Sequence, residues 1–316
     1  MKILGHTGND NIARVFVGQT RSGCTVEFLE SVQPPIPRDK KWVLIVSTLA
    51  GCPVGCPLCD ASGFYEGRLT ANDILEQIDY LVERRFPDRN IPIEKFKIQF
   101  ARMGDPALNS DVLEVLRELP GRYCAPGLMP CISSIAPVKT EKFFEELLAI
   151  KNEIYPDSFQ LQFSIHSTDE VWRDKLMPMP KWPLEQIAVY GRRFRGSDRR
   201  KITLNFALVE KAPLDADILL KYFDPETFLL KITPVNPTLS SDRNNLVSYI
   251  DVNDCGREYE KIESLRQAGY DVIMSIGELE ENLIGSNCGQ YVLKYHQQNS
   301  TAKSAAYSYA YTKVTE

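Results

Sequence analysis

Three of the chain's eight cysteines, Cys52, Cys56 and Cys59, fall within the stretch "LAGCPVGCPLCDAS". Thiolates spaced C-x-x-x-C-x-x-C can wrap one face of a compact metal centre. A structural zinc closes with four protein ligands, and no fourth cysteine lies nearby; the only histidines are His6, His166 and His296. An iron–sulfur cubane also takes four cysteines as a rule. With three, one iron stays open, and an open iron is a place for a substrate to bind. The alternative is a zinc completed by a distant residue, which would make the chain a zinc-stabilised binding module. Chance clustering of core cysteines fits poorly, because Gly51, Gly55 and two prolines make a weak core segment.

The rest of the composition bounds what such a centre could serve. The chain has 316 residues, 43% hydrophobic and 25% charged, with a net charge of -5 and a pI near 5.5. That is enough apolar residue for a buried core, and the acidic balance argues against a broad basic nucleic-acid surface. The best basic cluster, "GRRFRGSDRRK" (191–201), reads as well as a solvated helix end as a phosphate contact. No apolar run of about 18 residues is present to span a membrane, and "MKILGHTGND" has no signal-peptide core. The expected compartment is a thiol-reducing cytoplasm, where cysteines serve as ligands or catalysts rather than disulfides.

Elements that could position the cysteines alternate along the chain. "IARVFVGQ" and "TVEFLESV" read as an N-terminal hairpin. Then "WVLIVS" (42–47), "FKIQFARM" (96–103), "CISSIA" (131–136), "FQLQFSIH" (159–166), "ITLNFALV" (202–209) and "LLKITPV" (229–235) read as strands buried on both faces. Helical segments fall near 70–86, 110–118, 139–152, 183–195 and 215–223; the first carries Ile74, Ile78, Leu81 and Val82 on one face, with Thr70 or Asn72 able to cap it. Strand–helix alternation implies a parallel sheet, open or barrel-like. No G-x-G-x-x-G follows a strand, which removes the usual dinucleotide role. The cysteine loop follows the first of the six strands, at the end where barrels gather their chemistry.

The cysteine spacing resembles that of the radical S-adenosylmethionine (radical SAM) superfamily. The resemblance implies a 4Fe–4S cluster whose open iron is chelated by the methionine part of SAM, an external electron donor such as flavodoxin or ferredoxin, and a 5′-deoxyadenosyl radical. The ordered blocks "QFARMGDPALN" (99–109), "CISSIAP" (131–137), "FSIHSTDEVWRDKLMP" (163–178), "ITPVNP" (232–237) and "SNCGQY" (286–291) are similar to the RlmN/Cfr family, which methylates adenosine ring carbons of ribosomal RNA. By that likeness Gly104 and Asp105 meet the SAM amino group, with Asp105 replacing the usual glutamate. Ser133 (or its neighbour Ser134), Ser164, Ile165, His166 and Asn236 are further SAM contacts. Cys288 is implied to take a methyl group from one SAM by displacement, a second SAM then generating the radical that activates that methyl. A thiolate suits the displacement. Glu27 aligns with a family glutamate proposed to take a proton from the adduct, though an exposed strand glutamate is an equal reading.

Two departures matter. The family's further cysteine, which releases the product through a disulfide, is replaced here by Ile45. Cys255 and Cys24 are candidate substitutes; Cys131, opening its strand, is expected at the far end of the barrel. Release without a second thiol also stays open. The family's N-terminal RNA-gripping helical domain has no counterpart before the cluster, so ribosomal RNA is not the expected substrate; a small molecule, a peptide or a compact RNA is. The fold expected is a partial (β/α)6 barrel of TIM-like form, with an N-terminal hairpin (1–40), a barrel (41–240) and a C-terminal extension (241–316) that brings Cys288 over the mouth. The expected function is radical methylation of an unactivated carbon through S-methyl-Cys288. The alternative enzyme abstracts hydrogen directly from its substrate.

Overall fold

Continuous apolar runs separated by amphipathic segments are stable only when helices cover the strands. The computed structural model, which describes residues 1–196, 200–254, 257–287, 291–292 and 312–314, has that arrangement. Strands β4 (Lys41–Val46), β7 (Lys95–Phe100), β8 (Leu128–Ser134), β9 (Gln160–Ser164), β10 (Ile202–Ala207), β11 (Phe228–Thr233) and β12 (Val272–Met274) run parallel, in that order across the sheet. Between successive strands lie helices α1 (Ala71–Glu83), α2 (Asp111–Arg122), α3 (Glu141–Ile154), α4 (Glu170–Leu176), α5 (Leu184–Arg195), α6 (Ala216–Tyr222), α7 (Leu239–Arg243) and α8 (Glu260–Gln267). Helix α9 (Leu279–Ile284) follows β12. A separate two-stranded ladder, β5 (Leu49–Gly51) with β6 (Tyr65–Arg68), frames the cysteine loop.

The N-terminal part differs from the expected hairpin. Strands β2 (Ala13–Gln19) and β3 (Thr25–Ser31) do pair, but β1 (Lys2–Gly8) precedes them, and β3 continues the main sheet by pairing Leu29 with Ile45 of β4. Near the C-terminus β13 (Thr312–Lys313) adds to β1. Among the described residues, eleven of the strands make one open sheet with β12 and β13 at its edges, rather than a closed barrel. The sequence "KILGHTG" hides β1, since two glycines and a histidine break the alternation, and β12 is only three residues long.

Side chains on either side of the pleat divide the molecule. Trp42, Leu44 and Val46 of β4, Phe96, Ile98 and Phe100 of β7, Leu161 and Phe163 of β9, and Leu204 and Phe206 of β10 are at most 1% exposed. They pack with Ile74, Ile78 and Leu81 of α1, Leu116 of α2, and Phe144 and Leu147 of α3 in one core. Full burial of each such side chain contributes about 1.5–3 kcal/mol. The intervening residues, among them Gln99, Ser133, Gln162, Ser164, Asn205, Lys231 and Thr233, face the concave side and are half-exposed. Of the two caps expected for α1, Thr70 is used: its hydroxyl accepts from the Asp73 amide at 3.2 Å while the Asp73 carboxylate accepts from the Thr70 amide at 3.0 Å.

Candidate active site

The three cysteines sit on a loop built to hold a fixed shape. Gly51 has φ +82°, and a Cβ there would lie 2.1 Å from the Phe64 carbonyl oxygen. Only glycine lets the chain turn out of β5 while the Cys52 amide donates back to Phe64 at 2.9 Å. After Cys59 a short turn of 3-10 helix, Asp60–Gly63, buries the Asp60 carboxylate completely. It accepts from the amides of Leu239 (3.2 Å) and Ser240 (2.7 Å) at the start of α7. The Thr238 hydroxyl donates to the Leu58 carbonyl at 2.9 Å. The loop is therefore tied to the chain leaving β11, a link the sequence analysis missed because Asp60 and Ser240 lie 180 positions apart.

The ends of the strands converge beside it. Gly104 has φ +91°, and a Cβ there would lie 2.4 Å from Leu49 Cγ, so the "MGD" turn presses its bare backbone against the cysteine loop. Asp105 does not offer a free carboxylate. It accepts from Ser134 Oγ (2.8 and 3.0 Å), the Ile135 amide (2.7 Å) and the Ala107 amide (2.9 Å), joining the end of β7 to the end of β8. Burial nevertheless pushes its pKa up to about 6. Ser134 is thus committed to Asp105, whereas Ser133 faces the concave side and accepts from Gln162 Nε2 at 2.8 Å. Of the two serines, the register puts Ser133 on the face open to a ligand.

At the end of β9, Ser164 is half-exposed on the concave face, while the Ile165 side chain is fully buried in the helix-side core, its amide donating to the Asn205 carbonyl at 2.9 Å and its carbonyl accepting from the Ser167 amide at 2.8 Å. His166 holds φ +61°, a region few non-glycine residues adopt. Its Nδ1 accepts from the Ala207 amide at 2.9 Å, which fixes the neutral tautomer with the proton on Nε2. Burial, aided by Arg173, lowers its pKa to about 4. The Asn236 carbonyl accepts from the Thr238 amide and the Ser241 hydroxyl, shaping the turn after β11.

The donor set fits an iron–sulfur cluster. Cys52 Sγ accepts from the amides of Val54, Gly104 and Asp105, the donors a thiolate needs. Burial pushes the Cys52 thiol up to about 11 and the Cys56 thiol up to about 12; a cationic centre bound there would draw off their protons. Among the described residues no three His, Cys, Asp or Glu side chains come close enough together to hold one metal ion. A cubane asks for less convergence than a zinc, since each thiolate takes its own iron.

Known proteins were compared with this geometry. No family model matches. The dual-specificity RNA methyltransferase RlmN of Wolinella succinogenes is 25% identical over 313 residues, 91% of this chain and 83% of that protein. That of Geobacter sulfurreducens is 30% identical over 62% of this chain, which spans half the relative's length. A probable RlmN of Thermus thermophilus is 25% identical over 82% of this chain and 70% of its own. Among solved structures, a radical SAM methyltransferase from Sphaerobacter thermophilus superposes with TM-score 0.65 at 18% identity, over 87% of this chain and 77% of that one. Streptococcus suis SuiB bound to S-adenosylmethionine superposes with TM-score 0.53 at 12% identity, over 77% of this chain and 51% of that one. Over most of its length the chain is similar to the RlmN radical SAM methyltransferases.

In this chain Cys288 and Cys255 lie outside the described residues, but residues 257–287 and 291–292 are placed. Arg102, 5% exposed, donates to the carbonyls of Gly285 and Ser286 at 2.8 Å each. The same guanidinium pairs with Glu27, whose other oxygen accepts from the Val292 amide at 3.1 Å. Glu27 is thus fully buried, not the exposed strand glutamate that was one of its two readings, and burial raises its pKa. Neither Arg102 nor this clamp was foreseen; an arginine beside "MGD" was the available signal. Tyr291 and Val292 pack in an apolar cluster with Met103, Leu29 and the flanks of Cys52, Cys59 and Ile45.

The other thiols fall differently from expectation. Cys131 is in the middle of β8, beside Gln99 and Gln160, because the strand begins three residues earlier, at Leu128. Cys24 packs on the helix side. Much of the basic stretch 191–201 is engaged within the chain, through Arg193 with Glu145 and Lys201 with Asp271, both at 2.7 Å. Among the described residues no helix is long and apolar enough to cross a membrane.

Proposed function

We infer that this enzyme methylates an unactivated carbon through S-methyl-Cys288. Cys52, Cys56 and Cys59 would hold the 4Fe–4S cluster, which when bound supplies the electron that cleaves SAM to the 5′-deoxyadenosyl radical. Gly104 offers backbone, and Ser133, Ser164, His166 Nε2 and Asn236 offer polar groups toward SAM, while Asp105 fixes the loop that carries Gly104. Glu27, its carboxyl raised by burial, keeps the basicity of a proton acceptor. The three regions 1–40, 41–240 and 241–316 would contribute the sheet extension, the SAM-binding strands and the segment that closes over them. A reducing cytoplasm with a flavodoxin- or ferredoxin-like donor suits the cluster. The substrate we favour is not ribosomal RNA, given the net charge of -5.

One observation carries this reading. Arg102 and Glu27 grip residues 285, 286 and 292, so the described residues on either side of Cys288 are held to β3 and the end of β7, with Tyr291 and Val292 packed in one cluster with Cys52 and Cys59. The test is the mass of the Cys288 peptide after anaerobic incubation of the reconstituted enzyme with methyl-deuterated SAM. A labelled methyl on that sulfur is expected. An unmodified Cys288, with the cluster intact and SAM cleaved, would rule out the route.

A second reading, direct hydrogen abstraction without methyl transfer, is favoured by Ile45. It is apolar, half-buried and packed in the cluster that flanks Cys52 and Cys59, where the likeness expects a resolving thiol. Activity that survives Cys288→Ala would select it.

A further inference from the structure

The concave face carries a cationic group that neither the cluster nor SAM accounts for. Lys41 and Lys95 are register partners on β4 and β7, and Lys97 stands one pleat further along β7. Each alternates with a helix-side core residue, Trp42, Phe96 or Ile98, so the three side chains share the concave side. Lys231, between the core residues Leu230 and Ile232 of β11, acts on Lys41 across the curved sheet and also on the Glu281 carboxylate, so it is not part of the uncompensated group.

Lys97 is only 9% exposed, and among the described residues no carboxylate pairs with it, with Lys41 or with Lys95. Lys41 has one polar partner, the Gln33 side chain. Burial, and then Lys97, Lys95 and Lys231, pull its pKa down to about 8. Burial, Arg200 and Lys97 lower that of Lys95. Crowding the buried Lys97 with the half-buried Lys41 and Lys95, with no carboxylate paired to them among the described residues, costs free energy, and a chain with 42 acidic residues had acids to place there.

We propose that Lys41, Lys95 and Lys97 bind the anionic group, phosphoryl or carboxylate, of a small substrate whose reacting carbon lies at the cysteine-loop end. Strand rise places Lys97 on the order of 10 Å below the Phe100 end of β7, a span suited to a small molecule. A lysine ammonium serves phosphate and carboxylate alike as a point charge. The proposal rests on the radical SAM reading only for where the reacting carbon lies.

The test is anion binding to the full, cluster-reconstituted chain without SAM, by titration calorimetry, with inorganic phosphate and acetate as probes. Lys97→Gln is expected to weaken binding roughly tenfold or more, as loss of a charged hydrogen bond does. Lys97→Arg and the exposed control Lys142→Gln are expected to retain it. Tighter phosphate binding supports a phosphoryl substrate, and tighter acetate binding a carboxylate. Failure of both anions to bind, or unchanged binding by Lys97→Gln, overturns the proposal. Should Lys97→Gln fail to fold, Lys41→Gln gives the same reading. No turnover is needed, so failure of Cys288 methylation would leave the result standing.

Discussion

On β9, Leu161 and Phe163 point toward the helices and are at most 1% exposed, while Gln162 and Ser164, each one residue away, face the concave side half-exposed. The alternation of burial recurs along β11, whereas β4 places Val43 and Ile45, β7 the buried Lys97 and β10 the buried Thr203 on the concave side. The helix-covered face is apolar and interchangeable in kind, any large side chain of the right volume serving. The concave face mixes apolar side chains such as Val43 and Ile45 with half-exposed polar ones, among them Gln99, Ser133, Gln162, Ser164 and Asn205. Stability and chemistry are thus assigned to alternate residues of one strand, which lets each be tested without the other.

The largest effect expected is on the chemical side. Replacing Cys56 by serine removes one of the three proposed cluster ligands and should abolish iron binding and SAM cleavage, read as iron content and 5′-deoxyadenosine release. Circular dichroism should show the fold retained, since Cys56 touches only a small satellite cluster with Val54, Ile135 and Met177. Loss of the fold would mean that the site and the core are not separable.

On the opposite face, Phe163→Ala should cost about 3–5 kcal/mol, the range for truncating a buried phenylalanine, read as a lowered denaturant midpoint. Phe163 is fully buried against Phe144 and Tyr190. A loss under about 1 kcal/mol would show that this face is not the stabilising one.

His166 tests the boundary between the faces, as it is buried yet ends a concave-side strand. Its folded pKa, about 4, lies below the ordinary 6.5. Between those values the unfolded chain binds the extra proton, so the contribution is whole above pH 6.5 and lost as pH falls toward 4. The loss amounts to about 3 kcal/mol. His166→Asn, a residue that tolerates φ +61°, should flatten this part of the stability–pH profile. An unchanged slope would mean that His166 is not held neutral.

Asp60 links the cysteine loop to α7. Asp60→Asn keeps one acceptor and should cost roughly 1–3 kcal/mol, as an impaired buried hydrogen-bonding group does. Cluster loss under mild heating should accelerate, measured by the decay of visible absorbance. If the variant loses its cluster no faster than wild type, the loop is rigid without α7.

What the sequence revealed follows locality. The cysteine loop, the six long strands and the Thr70 cap are encoded within a few residues and could be read directly. Ser133 against Ser134 could not be decided until the register of β8 was known. Strand β1, with its glycines, and three-residue β12 exist only because a neighbour pairs with them. Asp60 with Ser240, Glu27 with Arg102 and Val292, and the lysines of β4 and β7 are joined across 75 to 265 positions or across the sheet, with no local pattern to announce them. The N-terminal strands read as a free hairpin for the same reason, since only the Leu29–Ile45 pairing shows that they continue the sheet.

The smallest effect sharpens the comparison most. Gln162→Ala alters a half-exposed concave residue whose amide donates to Ser133 Oγ. It leaves no buried group unpaired, so stability should change by no more than about 0.5 kcal/mol. If the concave face is reserved for ligands, the same substitution should raise the SAM dissociation constant, because Ser133 is freed from its fixed rotamer. A variant with unchanged SAM affinity and a large stability loss would reverse the assignment, making Gln162 a structural residue of the same kind as Phe163, one position away.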